Sequence, residues 1–454
     1  MKFQSFIVYI ITAFCLLACP LHPAAQDSGI EKNKAWNNFL KDIVIGPGKL
    51  NIDGSLRFRS ELFKQFSIKK YGTDDEDGIL LERFRLGLDY RINENLNFYV
   101  QLQDAHYWFS ELDLNKHFGD VCPYQNPLDL KQANMEWKHI ADTPFGFKAG
   151  RQAIAYRDLR VWGPGNWGNT GSFTWDAVKF YADTDWVDTD LIWARRVISD
   201  KDHFDDEYYD FTAYGMYSKI QNLPIDLDLF YLLKEDGEKT YAGESGLGDL
   251  ETHSLGFYAS GHFLERWDWK GTFAYQLGEY GQDDINAFMV NTGAGYTFKD
   301  TPWTPRLGAE FSYGSGDDDP NDGDRETFDA LFGAVAPYYG RMNMFSLKNL
   351  EDYQASLGVK PARNINLSLN YHYFRLAEAE DGWYYCHKKV HRQDPTGLSG
   401  KDLGHEIDLL AKWKVNANIE LFSGFAHFFP ENYIDNTGIS EEANWFFMQC
   451  TFFF

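Results

Sequence analysis

The chain has 454 residues and a net charge of −24 at pH 7, with 17% aromatic side chains and 39 glycines. That acidity argues against nucleic acid as a partner. After residue 20 there is no run of 18 apolar residues, so no transmembrane helix is expected, and the aromatic, glycine-rich composition points to an all-β chain.

The N-terminus opens with Met1 and Lys2, an apolar stretch at 6–18 and then PLHPAAQ at 20–26, the pattern of a secretory signal peptide over 1–25 with cleavage after Ala25. Residues 16–19 (LLAC) also resemble a lipobox, which would leave Cys19 as a lipid-modified N-terminus. Residues 26–49 read as a polar periplasmic segment ending in Gly46-Pro47-Gly48, and 50–454 as one β-barrel domain.

From residue 51 onward strand patterns recur near 51–66, 79–91, 95–109, 128–140, 145–155, 173–183, 186–199, 209–220, 225–234, 251–263, 266–279, 284–298, 304–314, 350–360, 365–377, 403–415, 418–429 and 443–454. The stretch 79–103 shows the rule. Leu80, Phe84, Leu86, Leu88 and Tyr90 share one parity, and Arg83, Arg85, Gly87, Asp89 and Arg91 share the other. A polar turn at 91–95 follows, and then Phe98, Val100 and Leu102 alternate with Asn97, Tyr99, Gln101 and Gln103. Period two means strands, and the polar face is too charged for an ordinary packed core. In a membrane barrel the oily face meets lipid and the charged face lines a wet lumen.

The connections alternate as well. The links at 91–95, 141–144, 184–185, 221–224, 264–265, 299–303, 361–364 and 416–417 are short. Those at 67–78, 110–127, 157–172, 234–250, 315–349, 378–402 and 430–442 are mostly long and rich in Asp, Gly and aromatics. Short turns on one side and long loops on the other describe a transmembrane antiparallel β-barrel of about 18 strands, with short periplasmic turns and long extracellular loops. The last strand carries Phe446, Met448, Cys450, Phe452 and Phe454 on one parity and resembles the recognition strand of bacterial outer-membrane proteins. Of five cysteines, Cys15 and Cys19 fall in the signal peptide, Cys450 lies on the expected lipid face, and Cys122 and Cys386 fall in outer loops, either paired or as two free thiols. No Cys/His cluster has zinc spacing.

Three stretches resemble the alginate export family of outer-membrane channels. They are GRQAIAYRDLRVWGPGNWGNTGSFTWDAVKF from Gly150, GHEIDLLAKWKVNANIELFSGFAHFFPENYI from Gly404, and NDGDRETFDAL ending at Leu331. The resemblance implies a monomeric 18-stranded barrel that lets polysaccharide or small anions cross the outer membrane. It also implies assembly by the barrel assembly machinery through the C-terminal strand, and an arginine-rich constriction. The chain departs from the family in its strongly acidic loops, which leaves the polymer unnamed.

Parity assigns the lumen face. Arg57, Arg59 and Glu61 face in from the first strand, Arg83, Arg85 and Asp89 from the second, and Gln101 and Gln103 from the third. Lys148, Lys179, Arg196, Lys270, Arg306, Glu310, Glu406, Asp408 and Lys412 follow. Arg151 is grouped with the pore-lining residues although strict alternation places it with Phe147 and Ala149, at the rim. A ring of guanidinium groups in a narrow pore attracts carboxylates and offers them paired hydrogen bonds. The competing reading is an interstrand salt-bridge network that stiffens the wall. In the loops, Asp317, Asp319, Asn321, Asp322 and Asp324 offer oxygen ligands suited to a structural calcium, against the plainer reading of a solvated acidic loop. Trp162, Trp167 and Trp175 flank a Gly-rich loop, where they would stack on sugar rings or form packing and an aromatic girdle. His372, His387, His391 and His405 have no nucleophile elbow or convincing Ser partner, so no enzyme is expected.

Overall fold

The computed structural model describes residues 38–65, 76–111, 122–171, 173–319, 321–333, 336, 338–385 and 390–454. The expected signal peptide at 1–25, the lipobox-like stretch ending at Cys19, residues 26–37, Cys386 and His387 lie outside the described residues.

Eighteen long antiparallel strands close into a barrel. In chain order they are β1 (Gly48–Lys64), β2 (Glu76–Arg91), β3 (Leu96–Trp108), β4 (Asn126–Trp137), β5 (Phe145–Gln152), β6 (Thr174–Asp183), β7 (Val187–Ile198), β8 (Asp206–Ile220), β9 (Asp226–Ala242), β10 (Leu247–Phe263), β11 (Trp267–Gly281), β12 (Asp283–Thr297), β13 (Arg306–Gly314), β14 (Leu350–Ala362), β15 (Ile365–Arg375), β16 (Asp402–Lys414), β17 (Ile419–Pro430) and β18 (Ala443–Phe453). The register Ser55↔Phe453 through Lys64↔Asn444 joins β18 to β1 and removes the sheet edge. Phe454 completes the seam: its N–H donates to the Gly54 carbonyl at 3.1 Å, and the Gly54 N–H donates back at 3.0 Å. Each expected segment meets one of these strands. The main difference is at β9 and β10, which run past 225–234 and 251–263 because they stay paired up to Ala242↔Leu247, with a bulge after Asp236.

The outer parity is oily and uncovered: Phe180 is 59% exposed, Leu191 53% and Leu409 51%. A soluble protein would not leave such a face in water. Trp186 and Trp303 project from the short-turn side, where an aromatic girdle belongs.

The interior departs from a simple wet tube. In their described residues, two long loops, 153–173 and 315–349, turn inward and share a hydrophobic cluster with the wall. Trp162, Phe328, Phe332, Met344 and Phe345 from the loops meet Trp175, Phe230, Leu232, Phe374, Phe428 and Phe447 from the strands. The two loops also pair backbone to backbone: the Phe332 N–H donates to the Val161 carbonyl at 3.1 Å.

Candidate functional site

The site is built on β1 to β3. Pleating places Arg57 directly opposite Arg83, and Ser55 opposite Arg85, so the four guanidinium groups of Arg57, Arg59, Arg83 and Arg85 gather on one patch of inner wall. Like charges opposed across a ladder are unfavourable. The compensation comes from loop 153–173. Arg57 donates to the carbonyls of Asn166 (3.4 Å), Trp167 (3.4 Å) and Gly168 (3.3 Å), and to Asn169 Oδ1 (3.0 Å). Arg59 donates to the Trp167 carbonyl at 2.7 Å, stacks on the Trp167 ring at 4.1 Å and pairs with Glu61 at 2.6 Å. Arg83 donates to the carbonyls of Asn166 and Gly168, both at 3.2 Å. Arg85 donates to Asn166 Oδ1 at 3.2 Å and to Gln103 Oε1 at 2.8 Å. Gln103 in turn donates to the Thr170 carbonyl at 2.9 Å. Gly171 is held where an added Cβ would come within 3.0 Å of Arg85 Nη2, and its φ of +77° also favours glycine.

The same loop reaches the far wall. Arg160 pairs with Asp158 (2.9 Å) and Glu310 (2.8 Å), donates to Asn291 Oδ1 (2.6 Å) and stacks on Tyr338 (4.7 Å). Arg157 pairs with Asp228 at 3.0 Å. The described residues of 153–173 are therefore a strap across the lumen, tied by carbonyls to the arginine patch, by the carboxylates of Asp228 and Glu310 to β9 and β13, and by the Asn291 amide oxygen to β12. The second inward loop has its own anchors. The fully buried Glu406 accepts the Met342 N–H at 2.9 Å. An added Cβ at Gly340 would come within 2.5 Å of Glu406 Oε2, and Gly340 has φ +77°. Asp408 lies 3.8 Å from His372 Nε2, whose Nδ1 bonds Asp352 at 2.9 Å.

A family profile for alginate export matches residues 49–447. The chain belongs to the alginate export family. Its barrel is similar to solved outer-membrane barrels. Pseudomonas aeruginosa OccK9 (OpdG) matches with a TM-score of 0.60 at 8% identity, over 89% of this chain and 98% of that one. Acinetobacter baumannii OccAB2 matches at 0.58 and 10% identity, again over 89% and 98%. Pseudomonas aeruginosa OpdL matches at 0.58 and 12% identity, also over 89% and 98%. At these identities the likeness speaks for the fold alone. No curated protein matches the sequence. Family and fold together make this an outer-membrane channel.

The family's barrel frame sorts the expected site residues. Arg57, Arg59, Arg83, Arg85 and Gln103 come together around the strap, and Glu406 and Asp408 around the second loop. Near the periplasmic mouth, Asp89 pairs with Arg91 at 2.6 Å, Gln101 donates to Tyr99 Oη at 2.9 Å, and Lys179 pairs with Asp190 at 3.0 Å. Arg196 faces in, over the Phe173 ring at 5.0 Å. Arg151 departs from the pore-lining set. It stands opposite Asp176 on the lipid-side parity, pairs with it at 2.9 Å and donates to the Asp205 carbonyl at 2.9 Å, so it braces the outer rim. Much of the remaining expected lumen charge is paired, as in Lys270–Glu310 (2.6 Å), Lys412–Glu420 (3.1 Å) and Arg306–Asp268.

The calcium ligands do not converge. Asp317 is buried beside Arg325, 3.7 Å away, while Asp319, Asn321 and Asp324 are exposed. Among the described residues no group of three or more His, Cys, Asp or Glu is placed to hold a metal. Trp162 and Trp175 are fully buried, so of the three tryptophans only Trp167 keeps an accessible ring. Sequence reasoning missed Asp158, Arg160, Asn169 and Arg341. The available signal was the two arginines at 157 and 160, set among Leu159, Val161 and Trp162 in a chain whose other outer loops are acidic.

Proposed function

We propose that this channel passes an anionic polysaccharide or oligosaccharide along the wall formed by β1 to β3. One observation carries the reading: four arginines share a patch in which Glu61 is the carboxylate paired with them, and their other partners are amides. Carbonyl oxygens satisfy N–H groups but are not counter-ions. Four positive charges against one negative leave +3, and the field of that charge persists in the lumen and favours anions. The outward Leu and Phe face meets outer-membrane lipid. A sheet without an edge needs no second chain to cover it, which supports a monomer, and Phe454 at the seam supports recognition by the barrel assembly machinery. Residues 26–49 belong to the periplasmic side on this reading.

A second reading, a substrate-selective porin for small anions, draws support from the strap, which narrows the lumen. Planar-bilayer recordings on the purified barrel test both. Anion-selective reversal potentials in a KCl gradient are expected, with current block by acidic oligosaccharides on the polysaccharide reading and none on the porin reading. Cation preference would overturn both.

A further inference from the structure

Most aromatic rings inside the barrel are sealed: Trp162, Trp175, Trp383 and Phe345 are at most 1% exposed. Trp167 and Phe422 are only half-buried, with Arg59 stacked on the Trp167 ring at 4.1 Å and Lys412 Nζ 5.9 Å from the Phe422 ring centre. Their rings stand edge to face, 6.2 Å apart at 81°, and both lean on Phe447, at 5.1 and 4.9 Å. Between them sits Arg341, its guanidinium carbon 5.9 Å from the Trp167 ring centre and 5.6 Å from that of Phe422. Among the described residues, this guanidinium makes no hydrogen bond and no ion pair. The nearest acids, Glu406 and Asp408, both take the Arg341 backbone N–H, Glu406 also accepts the Met342 N–H and Asp408 lies 3.8 Å from His372 Nε2; they attract the guanidinium without pairing with it. Trp167 and Arg341 are carried by the two inward loops. Phe422 is the fourth residue of β17, close to its periplasmic end.

Sugar rings offer flat C–H faces that pack on aromatic rings, and a ring carboxylate matches the guanidinium fork. A cation resting on aromatic faces keeps its N–H edges available for such a partner. We propose that Trp167, Phe422 and Arg341 form a stacking subsite for one carboxylated sugar ring of the passing chain. This rests on the anionic-saccharide reading above and adds to it a specific place and ring chemistry.

The test uses the full-length barrel in planar bilayers with trigalacturonate and maltotriose as blockers. Trigalacturonate should block at about tenfold lower concentration than maltotriose, the value of one good charge-assisted contact. R341Q should shrink that difference severalfold, leaving only the attraction of the arginine patch, with maltotriose block unchanged. F422L and W167F should weaken block by both sugars. Heat-modifiable mobility on gels confirms that each variant is folded, and F422L alone tests the stacking role if W167F does not fold. The subsite is overturned if the wild type is not blocked by trigalacturonate, if R341Q keeps the difference, or if F422L leaves both blocks intact. In those cases an anion-selective reversal potential would show that the underlying channel reading survives; a cation-selective one would show that it does not.

Discussion

Arg83→Gln is the sharpest single perturbation of the arginine patch. It takes the patch from +3 to +2 and removes two bonds to strap carbonyls, both at 3.2 Å. It also relieves the repulsion with Arg57 directly opposite, so the net effect on folding should be small. The electrical effect should not be small. A unit charge about 5 Å from an ion in water is worth about 0.8 kcal/mol, and screening at 0.1 M salt leaves about 0.5 kcal/mol. That energy enriches anions about 2.3-fold and depletes cations by the same factor, so the anion-to-cation permeability ratio should fall about fivefold at 0.1 M. At 0.01 M, where screening is weaker, the fall should be about tenfold. Reversal potentials in KCl gradients at the two salt levels measure this. A ratio that does not move would mean that the arginines only clamp the strap, and a fall independent of salt would rule out the electrostatic argument.

Other outcomes follow from the packing and the loops. Trp162→Ala removes a fully buried ring 4.7 Å from Phe332 and 5.3 Å from Trp175, at a cost of about 3–5 kcal/mol, so single-channel currents should become larger and noisier as the strap loosens. Burial pushes the Asp317 carboxyl up to about 7, against the pull of Arg325 and with the push of Asp381. Its folded value thus lies above the unfolded one of about 3.9, and loop docking should weaken as pH rises from about 4 through 7, by at most about 4 kcal/mol. Hydrogen-exchange protection over 315–349, with the base-catalysed rise of the intrinsic rate divided out, should therefore be lower at pH 8 than at pH 5, and Asp317→Asn should remove that difference in protection. Deleting Phe454 removes both seam hydrogen bonds to Gly54 and the ring stacked 6.2 Å from Phe84, and should lower the yield of heat-modifiable barrel in outer-membrane fractions.

The wall was legible in the sequence because its signal is local. The parity of Leu80 to Tyr90 needs only neighbouring residues to be read, and the closing strand announces itself by its Phe-rich face. The lumen was less legible because its partners come from far along the chain. Arg57 meets the carbonyl of Gly168, 111 residues away, and Arg160 meets Glu310, 150 residues away. Backbone carbonyls carry no sequence signature, so a clamp made of them could not be read from residue types. Arg151 shows the limit from the other side. Strict alternation placed it outward with Phe147 and Ala149, and Asp176 and Asp205 hold it there. The inward turn of 315–349 did leave a trace, since Phe328, Leu331, Phe332, Met344 and Phe345 are too many apolar side chains for a solvated loop.

The two ends of the strap are held by different chemistry, and that asymmetry bears on the route of a permeating anion. An 18-stranded barrel is too wide for its wall side chains to fill, and here the two inward loops narrow it. At the far wall the strap's cations, Arg157 and Arg160, each meet carboxylates, which cancels charge as well as satisfying donors. At the near wall the arginines meet amide oxygens, which satisfy donors and leave the charge in place. A strap carrying a carboxylate at Asn166 or Asn169 would have been held more tightly and would have lowered the patch from +3 to +2. On the proposed reading those amides keep the loop fixed and the wall positive at once. Asn166→Asp separates the two roles: it should hold the strap at least as firmly while lowering anion selectivity in the same recordings. Unchanged selectivity together with quieter currents would assign the patch to loop anchoring alone.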